Sequence, residues 1–179
     1  MKQGIALWVL LLACLAAQAG AVPVAVTVTS EGSNRFRIAL ETVIPAPQNA
    51  VWNVLTDYNH HVDFLPYMSK SRIVGKKDPA LIVEQEGRIR VLFWTFTLQV
   101  TQEVYEMRPG QMRFRAIAGD FTRLEGTWRL AAEGSATRLA CDFVVQPKRR
   151  VPAWAVRFTA RHYLSRMLQS LADHAAHPS

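Results

Sequence analysis

The apolar residues of this chain make one lasting change of period, and that change constrains the fold more than any other feature. From Val24 to Gln146, apart from a short helical stretch after Pro47, they alternate with polar residues in short runs divided by turn residues. From Pro152 to about Ala175 they recur at helical spacing instead. A chain of strands closed by a single helix must bury one sheet face, and the helix is the element available to cover it. Val24, Val26 and Val28 begin the pattern, Glu31-Gly32-Ser33-Asn34 supplies a turn, and Phe36, Ile38 and Leu40 continue it as a hairpin. Further strands are expected over Ser71–Val74, Leu81–Glu86, Arg88–Thr101, Val104–Met107, Gln111–Ala118, Thr122–Ala132 and Thr137–Gln146. Their regular spacing predicts one curled antiparallel sheet. Pro45-Ala46-Pro47 stops the second strand, because proline fixes φ and removes a ladder donor. Val51, Trp52, Val54 and Leu55 then predict a short helix from Gln48 to Asp57, and a second helical piece is expected over Val62–Tyr67. In the last helix Val156, Ala160, Tyr163, Leu164, Met167, Leu168 and Leu171 share a face, with Pro152 suited to its first turn. At 1.5 Å per residue that helix spans about 35 Å, enough to cross a sheet.

The N-terminus has a different character. Met1 and Lys2 precede an apolar run from Ile5 to Ala17, followed by the small residues Ala17, Ala19, Gly20 and Ala21. This is the form of an export signal over 1–21, leaving a domain of 22–179 in the periplasm or cell envelope. Two rivals stand beside cleavage. Leu11-Leu12-Ala13-Cys14 resembles a lipobox, and the apolar stretch nearly reaches the length of a membrane anchor. Removal of the signal leaves Cys141 as the sole cysteine, which excludes an intramolecular disulfide and reads as a small core residue. The net charge of +7 favours anionic surfaces such as lipid headgroups, and export argues against nucleic acid as a partner.

The segments Ile44-Pro45-Ala46-Pro47, Val51-Trp52-Asn53-Val54-Leu55-Thr56-Asp57-Tyr58 and Phe64-Leu65-Pro66 resemble the START-like superfamily, in its polyketide cyclase/dehydrase and coenzyme-Q-binding branch. Leu124-Glu125-Gly126-Thr127-Trp128 is similar to that family's Gly-x-Trp strand, and Pro147 and Pro152 before the last helix also fit. The resemblance implies an α+β helix-grip fold: a curved antiparallel sheet wrapped around a long C-terminal helix, with an internal cavity. It implies a hydrophobic ligand far more firmly than an activity, since members bind lipids, quinones, hormones or polyketides and only some are enzymes. An export signal departs from the quinone-binding relatives, which usually work inside the cell or organelle.

Strand parity gives the inner face independently. Leu92, Trp94, Phe96, Leu98 and Val100 alternate with outward Thr95, Thr97 and Gln99. Met112, Phe114 and Ala116 face inward by the same rule, as do Leu124, Gly126, Trp128 and Leu130, and Leu139, Cys141, Phe143 and Val145. Large aromatics beside the small Ala116 and Gly126 are expected to leave an elongated apolar pocket, which Gly126→Trp would block. The candidate ligand-binding residues are Phe64, Leu92, Trp94, Phe96, Phe114, Trp128, Phe143, Tyr163 and Met167, with the loop Phe64–Met68 controlling entry. A packed core is the competing reading for each of them.

Two polar clusters remain. In Asp57-Tyr58-Asn59-His60-His61-Val62-Asp63 the adjacent histidines point about 100° apart on a helix, so they do not converge on one metal ion and a structural loop is expected. Lys148-Arg149-Arg150 precedes Trp154, Arg157, Phe158 and Arg161, on a helix face distinct from that of Tyr163 and Met167. Arg149, Arg150, Trp154, Arg157 and Phe158 are thus candidates for contact with an anionic membrane, against the alternative that the aromatics pack beneath the preceding loop. The sequence contains no Gly-x-Ser-x-Gly, His-Glu-x-x-His or glycine-rich phosphate loop, and no motif calls for a cofactor or metal. The resulting reading is an exported binding protein for a lipid or isoprenoid quinone. The alternatives are a cyclase or dehydratase with Asp57, His162 or Tyr163 as proton donor, and an envelope module that docks a protein partner.

Overall fold

The computed structural model describes residues 21–177; residues 1–20 of the expected signal segment, Cys14 included, lie outside them. Eight strands form one antiparallel sheet: β1 (Val24–Ser30), β2 (Phe36–Ile44), β3 (Met68–Lys77), β4 (Ala80–Val91), β5 (Trp94–Met107), β6 (Gln111–Gly119), β7 (Phe121–Glu133) and β8 (Ala136–Pro147). Their order is β1-β2-β8-β7-β6-β5-β4-β3, so the two strands that flank the short helices α1 (Gln48–Thr56) and α2 (His61–Phe64) are far apart in the sheet. The C-terminal helix runs as α3 (Ala153–Thr159), a π-helical turn (Ala160–Leu164) and α4 (Ser165–Ala176).

Alternation places one row of each strand inward, and α1 and α4 cover those rows at one end of the sheet. Val51, Trp52 and Leu55 of α1 share a cluster with Leu168, Leu171, Ala172 and Ala175 of α4 and with Val83, Val104, Met112, Leu130, Leu139 and Cys141 of the sheet. The alanines of α4 let the two helices approach closely. Two side-chain bonds fix the entry to α1: the buried Thr137 hydroxyl donates to the Ala46 carbonyl at 2.7 Å, and Gln48 Nε2 donates to that of Leu130 at 2.9 Å.

The hairpin and helix expectations hold at β1–β2, α1 and β6–β8, but the middle of the sheet is divided differently. The expected breaks near Gly87 and Gln102 do not exist. β4 runs unbroken to Val91 and β5 begins at Trp94, with Leu92 and Phe93 forming the turn. A turn inside the run Val91-Leu92-Phe93-Trp94 carries none of the usual glycine, asparagine or proline signals. Leu92 meets its geometry with a left-handed φ of 55°. The second helical piece is also shorter than expected and begins at His61.

Candidate ligand-binding site

Burial falls along the inward rows of β5, β6 and β7 away from the α1/α4 end. On β2 and β8 the far end is closed by a second cluster of Phe36, Ile38 and Val145 with Ala160 of the helix, so the inner face is open on the β4–β7 side. On β6, Met112 is buried, Phe114 and Ala116 are half-buried, and Ala118 is exposed. On β7 and β8 the rows pass from buried Leu130 and Leu139 to half-buried Trp128 and Phe143. On β5 Val104 is buried, Val100 and Leu98 are half-buried, and Phe96 and Trp94 are exposed. Half-buried Leu164 and Met167 pack against the core cluster from the helix. The inner face thus presents partly uncovered apolar surface that widens toward the β4–β5 turn.

Of the sequence-derived ligand residues, Phe114, Trp128, Phe143 and Met167 lie together in this half-covered region. Phe64 sits at its edge on α2, its ring stacked 4.3 Å from that of His174. Tyr163 is half-buried in the π turn, and its hydroxyl is already committed: it donates to the Arg90 carbonyl at 2.9 Å and accepts from the Arg90 amide. Leu92, Trp94 and Phe96 are displaced from the expected enclosed position, because the turn at Leu92–Phe93 carries them to a projecting hairpin tip. Gly126 also departs from expectation. A Cβ there would lie 2.3 Å from Phe143 Cβ, 2.6 Å from the Asp142 carbonyl oxygen and 2.8 Å from Phe114 Cζ. The space above Gly126 is filled by the neighbouring strand at Asp142–Phe143 and the end of the Phe114 ring, so Gly126→Trp would disrupt the sheet rather than plug a void.

The loop expected to control entry is held by aromatic contacts. Tyr67, at φ 70°, meets the Tyr163 ring edge-on with centroids 4.4 Å apart, and its carbonyl accepts from the Arg88 amide at 2.7 Å. The π turn sets Tyr163 against this loop, while His162 turns outward and stacks on Phe158 with ring centroids 5.8 Å apart. Nothing in the helical periodicity foretells that turn.

Polar groups on the inner face satisfy one another. Gln102 Nε2 donates to Gln85 Oε1 at 3.0 Å, while Gln85 Nε2 donates to the Ser71 hydroxyl at 3.1 Å and lies 3.3 Å from His61 Nδ1. His61 Nε2 in turn lies 3.3 Å from the Val54 carbonyl, so the ring is neutral, with its proton on Nε2. Burial pushes the His61 pKa down. His60 points away into solvent, where its bond of 2.7 Å to Asp57 raises its pKa. The two histidines serve separate structural purposes, and no group of three or more His, Cys, Asp or Glu among the described residues could hold a metal ion. Asp57 and His162 are both exposed, and burial pushes the Cys141 thiol well above its ordinary range.

A groove of about 660 Å³ lies on the outer sheet face, where Arg37, Arg115 and Arg123 are already paired with Asp142, Glu103 and Glu125. Glu103 is buried under Arg115 and Tyr105, whose hydrogen bonds hold its carboxyl below the usual range. This is an ion-pair lattice and not the apolar site.

The basic segment is ordered by the first hairpin. Asn34 Nδ2 donates to the carbonyls of Pro147 and Arg149 at 2.6 and 3.0 Å, and its Oδ1 accepts from the Val151 amide at 2.9 Å. Trp154 and Phe158 are exposed and do not pack beneath that segment.

An antiparallel sheet curved over a C-terminal helix, open on one side onto apolar surface, defines a START-like helix-grip protein. The family model described as "Polyketide cyclase / dehydrase and lipid transport" matches residues 44–172, and the chain belongs to that family. Solved structures agree on the fold. A STAR-related lipid transfer protein from Xanthomonas axonopodis is 17% identical with a TM-score of 0.72, covering 89% of this chain and 96% of that one. The Zhui aromatase/cyclase from Streptomyces sp. R1128 is 16% identical with a TM-score of 0.62, covering 80% and 97%. Human STARD10 is 8% identical with a TM-score of 0.63, covering 84% and 73%. No curated protein matches the chain.

Proposed function

We propose that this chain is an exported carrier that holds a lipid or isoprenoid quinone between its sheet and C-terminal helix without transforming it. The supporting observation is the graded uncovering of the inner face, where Phe114, Trp128, Phe143 and Met167 keep apolar surface with no free acid or base among them. The polar side chains nearest to it, Gln85, Gln102 and His61, are bonded to one another, and the Tyr163 hydroxyl is bonded to backbone. Such a surface recognises an apolar chain by area, at about 25 cal/mol per Å² removed from water. The family's description includes lipid transport as well as cyclase and dehydrase activity, and the neighbours include a lipid transfer protein and an aromatase/cyclase. Export rests on the N-terminal signal, and the basic end with Arg149, Arg150, Trp154, Arg157 and Phe158 supports peripheral contact with an anionic membrane.

The test is titration with a dansylated fatty acid and with decylubiquinone, followed by extraction and mass analysis for chemical change. Saturable binding at near one per chain with the ligand recovered intact is expected. Ala116→Trp, which fills the half-covered end of β6, should weaken binding roughly tenfold or more with little change in Tm. Full binding by that variant would refute the location, and recovery of a cyclised or dehydrated product from a polyketide-like substrate would favour the enzymatic reading.

A further inference from the structure

The β4–β5 hairpin tip is an apolar projection that the ligand site does not use. Leu92, Phe93 and Trp94 are 67%, 88% and 70% exposed, and Phe96 behind them is also open. Single exposed apolar residues are ordinary, but four large ones on one tip are not. The turn is also conformationally costly, since a leucine at positive φ stands where asparagine or glycine would be cheap. Folding physics gives no reason for this choice, because the tip covers no core.

Charge identifies the occupant. The segments 87–102 and 143–172 together hold eight lysines and arginines and no Asp or Glu, so the rest of the chain is net −1. None of these eight forms an ion pair within the described residues, whereas among the described lysines and arginines elsewhere only Arg108, Arg113 and Arg129 lack one. The two segments are neighbours in space, joined by the bonds between Tyr163 and Arg90 and by the packing of α3 against β4. Aromatic side chains projecting from an unpaired cationic surface match the interface of an anionic bilayer, where the rings enter the headgroup boundary and the guanidinium groups meet phosphates. No helix among the described residues is long and apolar enough to cross a membrane, which suits a surface contact.

We infer that the Leu92–Phe96 hairpin tip is an insertion element that seats the open side of the sheet on an anionic lipid surface, with α3 and the Lys148–Arg150 segment as its electrostatic flank. This extends the proposed membrane contact to residues of a different element and rests on that reading. It also places the ligand mouth against the bilayer, so an apolar cargo would pass between lipid and protein without crossing open water.

The experiment is co-sedimentation of the purified domain with sucrose-loaded vesicles of phosphatidylcholine alone or with phosphatidylglycerol, for wild type, Phe93→Asp and the pair Arg149→Glu/Arg157→Glu. Wild type should partition onto the phosphatidylglycerol vesicles, and Phe93→Asp should weaken that partitioning roughly tenfold or more. The charge-reversed pair should erase the preference for phosphatidylglycerol. Tm and dansylated fatty acid binding without vesicles should be unchanged in all three. Partitioning of Phe93→Asp equal to wild type would overturn the insertion role, as would a wild type indifferent to phosphatidylglycerol. Concentration-dependent dimerisation abolished by Phe93→Asp would assign the tip to self-association instead. Failure of fatty acid binding in solution would count against the carrier function alone.

Discussion

Replacing Gly126 by alanine separates a packed inner face from a hollow one at a single atom. The new Cβ would meet Phe143 Cβ at 2.3 Å, the Asp142 carbonyl oxygen at 2.6 Å and Phe114 Cζ at 2.8 Å. Only the third neighbour is the far end of a side chain that can swing. The other two belong to β8, where Phe143 is directly opposite Gly126 and Asp142 is its neighbour, and they move only if the strand moves. Overpacking of this kind costs about 1–3 kcal/mol, and the rigid neighbours place Gly126→Ala toward the upper end. At about 2–4 °C per kcal/mol for a domain of this size, Tm should fall by roughly 5–10 °C. Thermal melts followed by circular dichroism and urea titrations give the two measures independently. An unchanged Tm would mean that β8 and the Phe114 ring do not close over Gly126, and the original expectation of free space beside it would regain its force. Because Phe114 and Phe143 also line the half-covered surface, the variant should weaken dansylated fatty acid binding below its melting range as well.

His61 is neutral and buried, with its pKa pushed below the ordinary 6.5. The unfolded chain therefore binds the proton more readily, so His61 gives full stability above about pH 6.5 and loses it as pH falls toward its folded value. His60, raised by Asp57, works in the opposite sense but is solvent-exposed and screened. Urea midpoints for wild type and His61→Leu at pH 8 and pH 5 isolate the buried ring, and an equal drop in both proteins would refute its role. Tyr163→Phe removes the hydroxyl that bridges both polar groups of Arg90 on the uncovered edge of β4. It should cost about 1 kcal/mol and speed hydrogen exchange of the Arg90 amide, and unaltered exchange would show that the bridge does not hold the hairpin.

What was legible in the sequence followed from period and punctuation. The β1–β2 hairpin, α1 after Pro45-Ala46-Pro47, and the strands from Gln111 to Gln146 each carried an alternating row and a turn signal, and their boundaries fell close to the observed ones. The face of the last helix was legible for the same reason: Ala160, Leu168 and Leu171 are buried as their spacing requires. Two elements were not. The turn at Leu92–Phe93 is made of residues that favour a strand, so parity was carried through it and placed Leu92 and Trp94 in the interior. The π turn at Ala160–Leu164 leaves the apolar stripe intact, since one extra residue in the winding shifts the stripe without breaking it. Gly126 was misread for a third reason. A glycine on an inner row signals close approach, but the sequence does not say whether the neighbour is a ligand or a phenylalanine.

The first two of these departures share a location, and that is informative. The closed end of the domain, where α1 and α4 cover Val83, Val104, Met112 and Leu139, obeys local propensity throughout. Departures gather at the open side: a leucine at positive φ, a tyrosine at φ 70°, and a π turn whose Tyr163 joins the two across Arg90. Each costs stability that a plain hairpin or an uninterrupted helix would keep. Because they touch one another, the cost is concentrated on a single rim, formed by the entry loop, the helix and the β4–β5 hairpin. A rim held together by ring contacts and one hydroxyl can part without disturbing the core cluster, which is what admission of an apolar ligand to the half-covered face requires.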